Sequence, residues 1–168
     1  PRRGRGRPAW RYEATGAAAG TSEYAGLAAA LAGAVERTSS DPATDARIAG
    51  TLWGRELARS HGRPATSSAA AARREVVALL DEVGFEPQAD ATATTVRLTR
   101  CPLLEAAHRS PEVVCSVHLG LVSGALEEYG TDPEGSDLVP FAEPGACLLH
   151  LAARKRPGDG HATPAGQG

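Results

Sequence analysis

Thr92-Ala93-Thr94-Thr95-Val96-Arg97-Leu98, then Cys101-Pro102, Leu103-Leu104-Glu105-Ala106-Ala107-His108 and Pro111-Glu112-Val113-Val114-Cys115, is the stretch that settles the architecture. Its first part alternates β-branched or apolar residues with others, the two-residue period of a strand. Cys101-Pro102 closes that strand, since proline has no amide to give to a ladder. A short helix is expected over 103–108 and a longer one from near Pro111 to Tyr129. A strand followed at once by two helices means mixed α and β.

Working outward, Leu138 to Phe141 and Ala146 to Leu151 read as antiparallel strands joined across Glu143-Pro144-Gly145. Upstream, Ala69 to Val83 carries Val76, Val77, Leu79, Leu80 and Val83 on one amphipathic face, with Gly84 as its stop. A turn around 88–91 would fold the segment after Phe85-Glu86-Pro87 into a hairpin. Two helices are expected before that unit. One, capped by Thr21 or Ser22 and running to Arg37, repeats Tyr24, Leu27, Leu31 and Val35 at three and four residues. The other, from about Thr44 to His61, carries Ile48, Leu52, Trp53, Leu57 and Ala58 on one stripe, read as core packing, and Gly62-Arg63-Pro64 ends it. The fold class expected is α+β: a helical linker and dimerisation region over 16–66, then a small α/β domain with a mostly antiparallel sheet over 67–153. Residues 154–168, rich in Lys, Pro and Gly, read as a disordered tail.

The chain has 168 residues, 42% of them hydrophobic, which is enough for a core. Aromatics are only 4%, so packing falls to Ala, Leu and Val, which suits close helix pairing completed by a dimer partner. The net charge of −2 averages a basic start with acidic stretches such as Glu127-Glu128, and the asymmetry is what carries information. No signal peptide and no apolar run near about 18 residues is visible, so the expectation is a cytoplasmic protein with no membrane role. No Ser/His/Asp set, phosphate-binding glycine loop or paired-carboxylate motif stands out, and an enzyme is not expected.

All three cysteines fall in the second unit. Cys115 and His118, three apart on a helix, share a face, and Cys101 at a strand end with Cys147 in the last strand would complete a tetrahedral set for zinc or iron–sulphur chemistry. The same thiols also read as small core fillers in apolar settings, or as a redox pair. Among the other histidines, His108 reads as a helix cap, His150 as facing away from Cys147, and His61 and His161 as solvent residues.

Two resemblances bear on function. Gly4-Arg5-Gly6-Arg7-Pro8-Ala9, an aromatic, and then Tyr12-Glu13-Ala14-Thr15 resembles the second wing strand of winged-helix repressors in the broad ArsR/DeoR-like group, common in high-GC actinobacteria. It implies that 1–15 is a wing remnant, with Arg2, Arg3, Arg5 and Arg7 on DNA; that family places a helix-turn-helix ahead of the wing, and none is in this sequence. Cys101-Pro102-Leu103-Leu104-Glu105, Pro111 to Cys115 and Pro144-Gly145-Ala146-Cys147 resemble the sensor domain of iron–sulphur cluster biosynthesis repressors. This implies that 67–153 is a sensor domain with Cys101, Cys115, His118 and Cys147 as metal or cluster ligands. That family has a further cysteine between the positions of Cys115 and Cys147, which this chain lacks and His118 would replace. The expectation is a homodimeric regulator of a double-stranded DNA operator, holding an iron–sulphur cluster, zinc or no cofactor. The alternative is a stand-alone metal- or small-ligand-binding module with no DNA role.

Overall fold

A computed structural model describes residues 17–64 and 68–151. The described residues form five helices and four strands in an α+β arrangement, as the sequence leads one to expect. Helix α1 spans Ala17–Thr38, starting ahead of Thr21, and α2 spans Pro42–His61. Asp41 caps α2 by accepting a hydrogen bond from the Thr44 amide at 3.2 Å, and Pro42 fits the first position, where no amide is needed. Helix α3 covers Ala69–Glu82, its first turn capped by Ser68, whose hydroxyl accepts from the Ala71 amide. Strands β1, Pro87–Ala89, and β2, Thr95–Leu98, form the expected hairpin. Helix α4 is Leu104–Arg109, α5 is Pro111–Glu128, β3 is Asp137–Glu143 and β4 is Ala146–His150.

The four strands make one antiparallel sheet in the order β1-β2-β4-β3. Its first turn is organised by Asp90, whose carboxylate accepts from the amides of Thr92, Thr94 and Thr95 and from the Thr92 and Thr94 hydroxyls. Loss of hydration raises the Asp90 pKa, but the hydrogen bonds from Thr94 and Thr92 outweigh it and hold the carboxyl below the usual range. One face of the sheet packs on α3 and α5, with Val96, Leu98 and Leu149 meeting Val76, Leu80, Leu121, Val122 and Leu126 in the main core. A smaller core joins Ala32 of α1 and Ala46 of α2 to Ala106, Ala107, Val113 and Val114.

The packing of α2 departs from the expected stripe. Its buried face is Ala46, Gly50, Gly54 and Ala58, while Ile48, Leu52 and Trp53 are 56%, 60% and 40% exposed. The reason lies across the interface, where α5 presents Gly120 and Gly124. A Cβ added at Gly50 would collide with the Val117 carbonyl, one at Gly54 with that of Leu121, and ones at Gly120 and Gly124 with those of Arg47 and Thr51. Backbone therefore lies on backbone, an approach only glycine allows. Arg55 fastens the crossing by donating to Glu127, and Arg59 does the same to Glu128.

Helix α1 repeats the pattern on a smaller scale. Ala25 and Ala32 face inward, whereas Tyr24, Leu27 and Leu31 are 72%, 57% and 59% exposed. At the end of α2, His61 is not a solvent residue: its ring sits between two glutamates of α3, 3.4 Å from Glu75 and 3.0 Å from Glu82.

Candidate functional site

Local chain geometry brings the four candidate ligands to one place. Cys101 follows β2, held where Leu104 turns back to donate its amide to the Cys101 carbonyl. Cys115 and His118 lie one turn apart on α5, on a different side from Gly120 and Gly124, so that helix carries the glycine crossing on one side and the chemistry on another. Cys147 pairs with Leu98 in the β4 ladder. All four line a small cavity of about 10 Å³, together with Phe85, Leu98, Leu138 and Phe141.

His118 is the most constrained of the four. Its ring is only 6% exposed and meets Phe85 edge-on at 4.7 Å between centroids. It makes no hydrogen bond with the described residues, and desolvation pulls its pKa down to about 4, so the imidazole is neutral at pH 7. Cys101 and Cys115 are shifted the other way. Desolvation raises Cys115 to about 11, with the neighbouring Cys147 and Cys101 adding to it. Desolvation also raises Cys101, against the hydrogen bond from the Leu103 backbone. A thiol held protonated is a poor nucleophile, and this applies to Cys101 and Cys115.

β3 supplies a feature that the sequence reading did not find. Val139 pairs with Leu148 and Glu143 with Ala146, so Pro140, Phe141 and Ala142 together stand opposite Cys147 alone. The surplus residues bulge outward, and Phe141 takes a left-handed φ of 52°. Its amide donates to the Cys147 sulphur at 3.4 Å, and its ring lies on that of His108, 4.8 Å away and within 11° of parallel. His108 is thus half of an aromatic pair rather than a helix cap. The one sequence signal was Pro140, a residue that strands tolerate at edges and bulges.

The donor set suits a single soft ion, with three sulphurs and one unpartnered nitrogen. The cavity has room for a body of about one water molecule. Among the described residues, no three His, Cys, Asp or Glu side chains are yet close enough to share an ion. Holding one would draw these side chains inward. Arg2, Arg3, Arg5 and Arg7 lie outside the described residues.

Comparison with protein-family models, curated proteins and solved structures finds no match to this chain. Fold and cavity together define its class: an α+β domain with a thiol- and imidazole-lined pocket. Among the described residues, no helix is long and apolar enough to cross a membrane.

Proposed function

We propose that this chain is the sensing and dimerisation part of a DNA-binding transcriptional regulator, with a single soft metal ion such as zinc as its effector. The observation that carries the reading is the cavity, where residues far apart in sequence meet around the buried His118 ring. Cys101, Cys115 and Cys147 would bind as thiolates and His118 through a ring nitrogen, and the displaced protons make affinity rise with pH. Such an ion supplies fixed charge and rigid geometry, and the protein's part is to convert that tightening into a changed fit to an operator. What supports the DNA role is the run of Arg2, Arg3, Arg5 and Arg7 among glycines and prolines.

The partner in solution is a second copy of the chain. Leu52 sits near the middle of α2 and is the most exposed large residue of its face. Contact of α2 with its copy about a two-fold axis would bring the exposed Ile48 and Leu52 of both chains together and cover them.

Elemental analysis of protein isolated without oxygen tests the effector. About one metal per chain, lost in Cys115→Ser with the fold intact, is the expected result, and a metal-free protein overturns it. For DNA, Arg5→Ala with Arg7→Ala should lower the salt slope of binding by up to about 2, and an unchanged slope removes those arginines from the interface. The stand-alone binding module has one observation in its favour: every residue of the cavity lies between Phe85 and Cys147.

A further inference from the structure

A second, much larger space adjoins the cysteine cavity. It is a cleft of about 820 Å³ between the β3–β4 hairpin and α4. Leu98, Arg100, Cys101, Phe141 and Cys147 line both spaces, whereas Cys115 and His118 line only the inner one. The volume matches the roughly 300–1,000 Å³ of organic-ligand sites, and an ion would leave nearly all of it empty.

The lining states the chemistry of an occupant. Leu98, Leu104, Pro144 and Ala146 make most of the wall apolar. Leu104 and Phe141 remain 48% and 42% exposed, an unusual placement for large apolar side chains unless something covers them. Phe141 and His108 form a flat aromatic platform at the same place. Phe141 holds a left-handed backbone conformation that strains a non-glycine residue, a kind of strain found at ligand clamps.

Two charged groups line the cleft, and they differ. Glu143 is engaged twice by Arg97, at 2.9 and 2.7 Å. Arg100 gives one nitrogen to Glu86 in a pair whose side chains are both 58% exposed, and solvent-exposed pairs of this kind are weak and readily exchanged. Its other guanidinium donors can take a second acceptor.

We infer that the cleft is a binding site for a flat, largely apolar organic anion, lying against the His108–Phe141 platform with its acidic group at Arg100. The cleft shares Cys101 and Cys147 with the proposed ion site, but the inference rests on the shape and lining of the cleft and not on an ion. An occupant would cover Cys101 and Cys147, so it would also report on the inner cavity.

The test uses the full chain without added metal and 8-anilinonaphthalene-1-sulfonate as the probe, a largely apolar anion with a flat naphthalene ring whose fluorescence rises on burial. A single saturable site is expected, weakened at least tenfold by Leu104→Asp and severalfold by Arg100→Gln, and unchanged by Ala78→Asp on the exposed side of α3. Alkylation rates read by mass spectrometry on the wild-type protein give a measurement that needs no variant. The probe should slow modification of Cys101 and Cys147 and leave Cys115 unchanged. Uniform protection, no protection, or binding lost in Ala78→Asp but kept in Leu104→Asp overturns the inference. Metal analysis is a separate readout, so a metal-free protein that binds the probe at this cleft would defeat the effector reading and leave this one standing.

Discussion

Helix α5 has two working sides, and they are built on opposite rules. On the side facing α2, Gly120 and Gly124 meet Gly50 and Gly54 with no room for one added carbon. On the side facing the sheet end, Cys115 and His118 border a cavity that continues into an open cleft, and the nearby strand bulges instead of closing. The crossing holds the helix still, so the cavity end can stay under-packed without the helix drifting. Close packing at one surface is what makes looseness usable at the other.

The contrast is broken most severely at the crossing. Gly54→Leu should destabilise the fold by about 3 kcal/mol or more, because the side chain has only backbone to displace; denaturant melts check this, and a small loss would mean the helices can part cheaply. The cavity side gives the next largest effect. His118 titrates near 6.5 unfolded and about 4 folded, so its contribution is full above pH 6.5 and drains away as pH falls toward 4. The loss amounts to about 3 kcal/mol, and the difference between wild type and His118→Phe, followed by melts from pH 7.5 to 4, should trace it. A protein whose acid sensitivity is the same with and without His118 would contradict this burial.

Smaller effects sharpen the same picture. The Tyr129 hydroxyl is buried without a hydrogen-bond partner among the described residues, and desolvation, helped by Glu75, Glu82 and Glu128, pushes its pKa up to about 12. Tyr129→Phe removes the stranded group and should raise stability by about 1 kcal/mol, measured at pH 7. Gly26 is the control for the crossing, a helical glycine with nothing within 4 Å of its would-be Cβ. Gly26→Ala should stabilise by about 0.5–1 kcal/mol, the ordinary helical preference that steric collision reverses at Gly54.

Much of the fold is legible in the chain because its signals are local. The alternation before Leu98, the apolar face of α3 and the span of α5 are all set by neighbours a few residues away. Of the inward face of α2, periodicity picks out Leu57 and Ala58 but misses Gly50 and Gly54, for a physical reason. Periodicity arguments follow large apolar residues, and here Ile48, Leu52 and Trp53 point outward while the interface consists of missing side chains. The spacing Gly50-x-x-x-Gly54 matched by Gly120-x-x-x-Gly124 was the available clue. That Cys101, Cys115, His118 and Cys147 border one cavity was legible in part, from the three-residue spacing on α5 and the places of Cys101 and Cys147 at or in strands of one sheet. The Phe141–His108 pair was not, since it depends on how many residues a bulge absorbs, which local propensity does not encode.

The helix crossing also has a history in time. It joins positions such as Arg55 and Glu127, 72 residues apart, so a long loop must close before the contact returns anything. The hairpin at Asp90 and the helices on either side of it need no such closure. The crossing is therefore expected to lock after the folding barrier has been passed, so that substitutions in it hasten unfolding while the refolding arm of a denaturant chevron stays nearly where it was.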